Sequence, residues 1–184
     1  VHNNSSISYQ FADSNSAEVS LNSGWNSIKN IQASSENFAN INLNNFVHAD
    51  VSFGDGGDSH VNIQGAKRGF IFTGDGNDTV DITAQTNGSG WSNTFVVNTS
   101  EGDDFVNFSG SRGHSSLTAS LGDGDDQIII DGDYKSSSID VGDGDNVVTL
   151  GALSDTVILG GEGKTLINNF TGVGGGGRGE KGMV

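Results

Sequence analysis

The sequence predicts an all-β chain wound as a right-handed parallel β-solenoid of roughly 20 residues per coil, and three observations lead there. A short segment rich in glycine and aspartate returns six times at near-constant spacing. Each copy is flanked by β-rich runs whose apolar residues alternate, the pattern of a strand with one buried face. No interval leaves room, beside its strands, for a crossover helix of about a dozen residues, so stacked coils replace the α/β alternative.

Composition narrows the class further. Glycine contributes 29 of 184 residues while proline and cysteine are absent, which excludes a collagen-like repeat and a disulfide scaffold. Acidic residues number 23 against 8 lysines and arginines, for a net charge of −15, and such a chain repels phosphate backbones and anionic lipid. Nucleic acid and membrane insertion are therefore not expected. Valine, isoleucine, leucine and phenylalanine recur in ordered runs, which separates the chain from acidic disordered sequences. No apolar stretch is long enough to span a bilayer, and no signal-peptide pattern is visible.

From the N-terminus, residues 1–49 read as early coils or a cap: Val19 and Leu21, and Ile41 and Leu43, alternate without an acidic loop. The repeats occupy 50–170. They read GDGGDSHVNI from Gly54, GDGNDTVDI from Gly74, SEGDDFVNF from Ser100, GDGDDQIII from Gly122, GDGDNVVTL from Gly142 and GEGKTLIN from Gly161. Their starts lie 20, 26, 22, 20 and 19 residues apart. A second β-rich run precedes each loop, as FIFT before Gly74 or SIDV before Gly142, so a unit is strand, acidic loop, strand and variable turn. Val80 and Ile82, Val106 and Phe108, Ile128 and Ile130, and Val148 and Leu150 are expected to point inward and form ladders up the core. Residues 171–184 have the composition of a flexible glycine-rich tail.

The loops carry the chemistry. A hard divalent cation such as calcium takes about six to eight oxygens from carboxylates and backbone carbonyls, on a backbone that bends sharply. Glycine permits positive φ, which lets successive carbonyls converge, and aspartate adds charge. The candidate metal-binding residues are Gly54, Asp55, Gly56 and Asp58; Gly74, Asp75, Gly76, Asn77 and Asp78; Glu101, Gly102, Asp103 and Asp104; Gly122, Asp123, Gly124, Asp125 and Asp126; and Gly142, Asp143, Gly144, Asp145 and Asn146. Plain turns use the same residue types. They do not require acidic loops stacked about 4.8 Å apart, where unneutralised carboxylates repel.

These segments resemble the repeats-in-toxin nonapeptide, Gly-Gly-x-Gly-x-Asp-x-hydrophobic-x, with the best match at Thr73 to Asp81. The resemblance implies calcium as the ligand and places the family's aspartate on Asp78, Asp104 and Asp126, with Asp58 in a loop one residue longer. Asn146 and Thr165 stand at that position in the last two loops. Family repeats run back to back and line both edges of the solenoid; one motif per coil implies calcium along one edge only. The resemblance also implies an extracellular or cell-surface protein, secreted by a bacterial route without a signal peptide, that folds on meeting calcium outside the cell.

Other chemistry is less supported. His2, His48, His60 and His114 form no zinc-like pair. His48 with Asp50, and Arg112 with His114, have the functional groups for acid–base work on a sugar, with Tyr9 and Tyr134 as the available phenols. Trp91, in the longest turn, is a candidate for stacking on a sugar. The leading expectation is a non-enzymatic calcium-binding module serving a structural, adhesive or secretion and folding role. The alternatives are a polysaccharide-active lyase or epimerase or its auxiliary module, and a self-assembling surface or biofilm protein whose partner is another copy of itself.

Overall fold

The computed structural model describes residues 6–10, 17–22, 30–35, 39–54, 57–85, 92–151, 153–154 and 156–169. Asp55, Gly56, Trp91, His2 and the 171–184 tail lie outside the described residues. Every described element is a strand, and every pairing is parallel. The chain is a β-solenoid with roughly 20 residues per turn, as its sequence predicts.

Two sheets run the length of the solenoid. The first stacks β1 (Ser6–Gln10), β3 (Asn30–Ser35), β5 (His48–Phe53), β7 (Arg68–Phe72), β9 (Thr94–Asn98), the second half of β10 (Phe105–Ser120), β12 (Ser138–Asp140) and β15 (Val157–Leu159). The second stacks β2 (Ala17–Asn22), β4 (Ala39–Asn44), β6 (His60–Ala66), β8 (Thr79–Ala84), the first half of β10, β11 (Gln127–Lys135), β13 (Gly144–Leu150) and β16 (Gly163–Asn169), with β14 (Leu153–Ser154) beside the end of β11. Register shifts between Ser109 and Ser115 carry β10 from one sheet to the other. Strands β1 to β4 pair into the same sheets, so the early segment, without acidic loops, is built from coils like the rest.

Alternation becomes ladders because coils stack in register. Val61, Val80, Val106, Ile128 and Val148 form one column and Ile63, Ile82, Phe108, Ile130 and Leu150 the next, all buried. The facing sheet contributes Val51, Ile71, Val97, Ala119 and Ile139. Size matching sets the spacing locally: a Cβ on Gly69 would meet the Ala49 carbonyl at 2.7 Å and the Phe95 ring at 3.1 Å, so a glycine rung accommodates the aromatic on the next coil. Ile167 continues the valine column but is 48% exposed, on a strand that pairs on one side only among the described residues.

Candidate metal centre

The acidic loops all join the first sheet to the second, so they stack along one edge. Register runs through their glycines: a Cβ on Gly102 would fall 2.2 Å from the Gly76 carbonyl oxygen, and one on Gly163 2.2 Å from that of Gly144. Gly102 also has φ of +129°, a conformation costly for any side chain, so backbone curvature and coil-to-coil approach both require glycine there. The amides of Gly76, Gly102 and Gly124 donate to the carbonyls of Glu101, Asp123 and Asp143 at 2.8, 2.9 and 3.0 Å, tying each loop to the next.

This stacking sorts the carboxylates into columns with opposite surroundings. Asp75, Glu101, Asp123 and Asp143 are exposed. A second exposed column, Asp58, Asn77, Asp103, Asp125 and Asp145, reaches forward along the solenoid. Asp58 accepts from the Asn77 amide at 2.8 Å, Asn77 from that of Asp103 at 2.8 Å, Asp103 from that of Asp125 at 2.9 Å, and Asp125 from that of Asp145 at 2.8 Å. The third column, Asp78, Asp104, Asp126 and Asn146, turns inward and is only 1–2% exposed. It reaches backward: Asp78 accepts from the Ser59 amide at 2.6 Å, Asp104 from that of Asp78 at 2.7 Å, Asp126 from that of Asp104 at 2.9 Å, and Asn146 from that of Asp126 at 2.8 Å.

One residue departs from the motif alignment. Asp58 registers with Asn77, not with Asp78, and Ser59 takes the inward position. The extra residue of that loop precedes Gly57 rather than following it, since Gly57 stacks on Gly76 and the spacing to Val61 and Val80 is equal. The signal available in the sequence is the equal spacing of Gly57 to Val61 and of Gly76 to Val80, which an alignment on the motif's first glycine passes over.

The inward carboxylates are only half satisfied. In Asp78, Asp104 and Asp126 one oxygen takes the backbone amide, while Oδ2 is buried with no hydrogen-bond partner. Burial pushes Asp78 up to about 6, Asp104 to about 7 and Asp126 to about 6, from an ordinary value of 3.8. The Thr73 hydroxyl on Asp78, the Thr99 hydroxyl on Asp104 and the backbone amides oppose it, while like charges add to it, from Asp58 on Asp78, from Asp78 and Asp126 on Asp104, and from Asp103, Asp125 and Asp123 on Asp126.

Asn146 identifies what this position faces. Its Nδ2 donates to the carbonyls of Val141 at 3.1 Å and of Gly142 and Gly144 at 3.4 Å. The loop carbonyls therefore converge on the place where the inward side chain puts its second polar atom. With an amide there, hydrogens fill the gap. With an aspartate there, as in the equivalent loops around Gly74 and Gly76, Ser100 and Gly102, and Gly122 and Gly124, the register brings a carboxylate oxygen to the same cradle of acceptors. Such a cradle suits a cation bound by oxygen. Among the described residues no three histidine, cysteine, aspartate or glutamate side chains cluster as a metal shell.

No family model, curated protein or solved structure matches this chain.

The remaining candidates are dispersed. Tyr134 is buried edge-on to Phe108 and belongs to the core rather than to acid–base chemistry. His60 lies 3.8 Å from Asp81 on the outer face of the second sheet, and His48 lies 2.9 Å from Asp50 on that of the first. Arg112 and His114 fall in the irregular middle of β10.

Proposed function

We propose that this chain is a calcium-binding β-solenoid module that gains its folded stability from the metal outside the cell and serves there as a structural, adhesive or folding element. The observation that carries this is the buried Oδ2 on Asp78, Asp104 and Asp126, which takes no backbone amide and has at most a threonine hydroxyl beside it, in loops where Asn146 at the equivalent position gives its amide hydrogens to backbone carbonyls. A bound calcium ion would supply the positive charge that those oxygens lack. Asp78 with the Gly74 and Gly76 carbonyls, Asp104 with those of Ser100 and Gly102, and Asp126 with those of Gly122 and Gly124 would hold it. Asn146 and Thr165 leave the last two loops without an inward carboxylate, so three inward sites are expected.

Linkage sets the size of the effect. With site affinities of about 10⁻⁴ to 10⁻³ M and about millimolar external calcium, each site adds about 0.5–1.5 kcal/mol. Three sites amount to a substantial part of the stability of an ordinary domain. In a calcium-poor cytosol the inward carboxylates oppose closure of the coils, which keeps the chain unfolded and suited to export.

The test is circular dichroism of chelator-treated protein during a calcium titration, with magnesium as control and calorimetry for stoichiometry. A coil-to-β transition near millimolar calcium with about three ions bound, absent with magnesium, is the expected result. An unchanged β spectrum without binding heat would reduce the loops to ordinary turns.

A second role, end-to-end self-association, is favoured by the last described coil. Val157, Leu159 and Leu166 are 55%, 52% and 57% exposed, beside the edges of β15 and β16 that have no strand partner among the described residues. Growth of particle size by light scattering, suppressed by Leu166→Lys, is its signature; a monomer at all concentrations would remove it.

A further inference from the structure

The edge opposite the acidic loops is chemically different. There the turn from β6 to β7 carries Lys67 and Arg68, and the register sets Arg68 directly beside His48 and Thr94. One rung inward on the same outer face, Asp50, Phe70, Val96 and Thr118 align across β5, β7, β9 and β10. Phe70 is 51% exposed and is the one exposed aromatic side chain among the described residues. Asp50 is committed: Oδ1 contacts His48 Nε2 at 2.9 Å and accepts the Phe70 amide at 3.0 Å. The Arg68 side chain is exposed and has no ion pair or hydrogen bond among the described residues.

We infer that His48, Arg68 and Phe70 form a binding site for an anionic saccharide, one bearing carboxylate or sulfate groups. Phe70 presents a flat apolar ring of the kind that stacks on the C–H face of a pyranose. Arg68 offers a planar fork to a carboxylate or sulfate. His48, oriented through Nε2 by Asp50, leaves Nδ1 to accept from a sugar hydroxyl. The exposed hydroxyls of Thr94 and Thr118 stand on the neighbouring rungs, and rungs repeat at about 4.8 Å along the solenoid, which suits an extended chain.

Charge complementarity selects an anion in spite of the net charge of −15. The acidic columns lie across the width of a strand, about 17–20 Å, and the Debye length is about 8–10 Å at physiological salt. Their field is therefore screened at Arg68, whose guanidinium has no ion-pair partner among the described residues, the nearby Asp50 carboxylate being engaged by His48 and the Phe70 amide. A protein partner is disfavoured because a stable interface needs about 800 Å² per side with a packed apolar centre, and among the described residues this face offers a single exposed ring. The site does not depend on the metal reading, because none of its residues belongs to the loop edge.

Affinity electrophoresis of the calcium-saturated protein through gels holding polygalacturonate, dextran sulfate or hydroxyethylcellulose tests it. Retardation by one or both charged polymers and none by the neutral one is expected, and the charged polymer that retards identifies the anion. Arg68→Glu and Phe70→Ala should each weaken it at least about tenfold, with unchanged dichroism and melting. Asp126→Asn, which alters the opposite edge, should leave it intact. Equal mobility in all gels, equal retardation by the neutral polymer, or retardation lost in Asp126→Asn but retained in Arg68→Glu would each overturn the proposal, the last by assigning the effect to calcium bridging at the loops.

Discussion

The Asp126 amide donates to Asn146 Oδ1 at 2.8 Å, while Asn146 Nδ2 turns to the carbonyls of its own loop. Asparagine thus completes by itself a cradle that aspartate leaves short of positive charge. Exchange of the two residue types should move metal dependence from loop to loop. Asp126→Asn is expected to bind one calcium fewer and to be more stable by about 1–3 kcal/mol in chelator at neutral pH, since a buried unsatisfied charge is replaced by a donor. Asn146→Asp should show the reverse, one further ion and lower metal-free stability. Calorimetric stoichiometry and chelator melts check both; unchanged stoichiometry in the pair would remove the cradle from metal binding.

Stability of the metal-free protein should fall as pH rises. Asp78, Asp104 and Asp126 are pushed up to about 6, 7 and 6 in the folded chain, against an ordinary 3.8, so the folded state holds their protons more tightly than the unfolded one. Their contribution is full below 3.8 and is lost as pH climbs through 6 to 7. Melting in chelator is therefore expected to be highest near pH 4 and to decline toward pH 7.5, whereas saturating calcium, which competes with those protons, flattens the curve. A metal-free melting temperature that climbs between pH 5 and 7.5 would contradict the buried column.

Two glycines of the same loop column separate backbone strain from coil contact. Gly57 has φ of +113° with nothing within 4 Å of the point where a methyl group would stand, so Gly57→Ala should cost about 1–2 kcal/mol. Gly102 adds a carbonyl oxygen 2.2 Å from the corresponding point, and Gly102→Ala should cost about 3 kcal/mol or more by prising adjacent coils apart. Denaturant melts in calcium give both values, and equal losses would show that the coils are not in close contact.

An aromatic rung crosses the core. Phe108 lies 5.8 Å from the Phe95 ring and 6.3 Å from that of Tyr134, with all three buried. Phe108→Ala is expected to cost about 3–5 kcal/mol, through the cavity it leaves between the two sheets. A loss below about 1 kcal/mol in a calcium-saturated melt would mean that the rung collapses around the gap.

Much of this arrangement was legible in the residues alone. The spacing of Gly54, Gly74, Gly122 and Gly142, with alternation at Val80 and Ile82 or Ile128 and Ile130, determined a stacked parallel solenoid with its acidic loops on one edge. Those features are local, because period-2 burial and positive-φ turns are written into neighbouring residues. Asp104 and Asp126, which the resemblance picks out over Asp103 and Asp125, do turn inward; what the stack decided is that they tie back to the amide of the preceding coil while Asp103 ties forward to that of the next. The tertiary structure likewise set Asp58 outward and Ser59 inward, through the point at which that loop takes its extra residue. It also joined His48 to Arg68 and Asp50 to Phe70 across 20 residues of sequence, a juxtaposition that depends on parallel register and leaves no trace in either segment by itself.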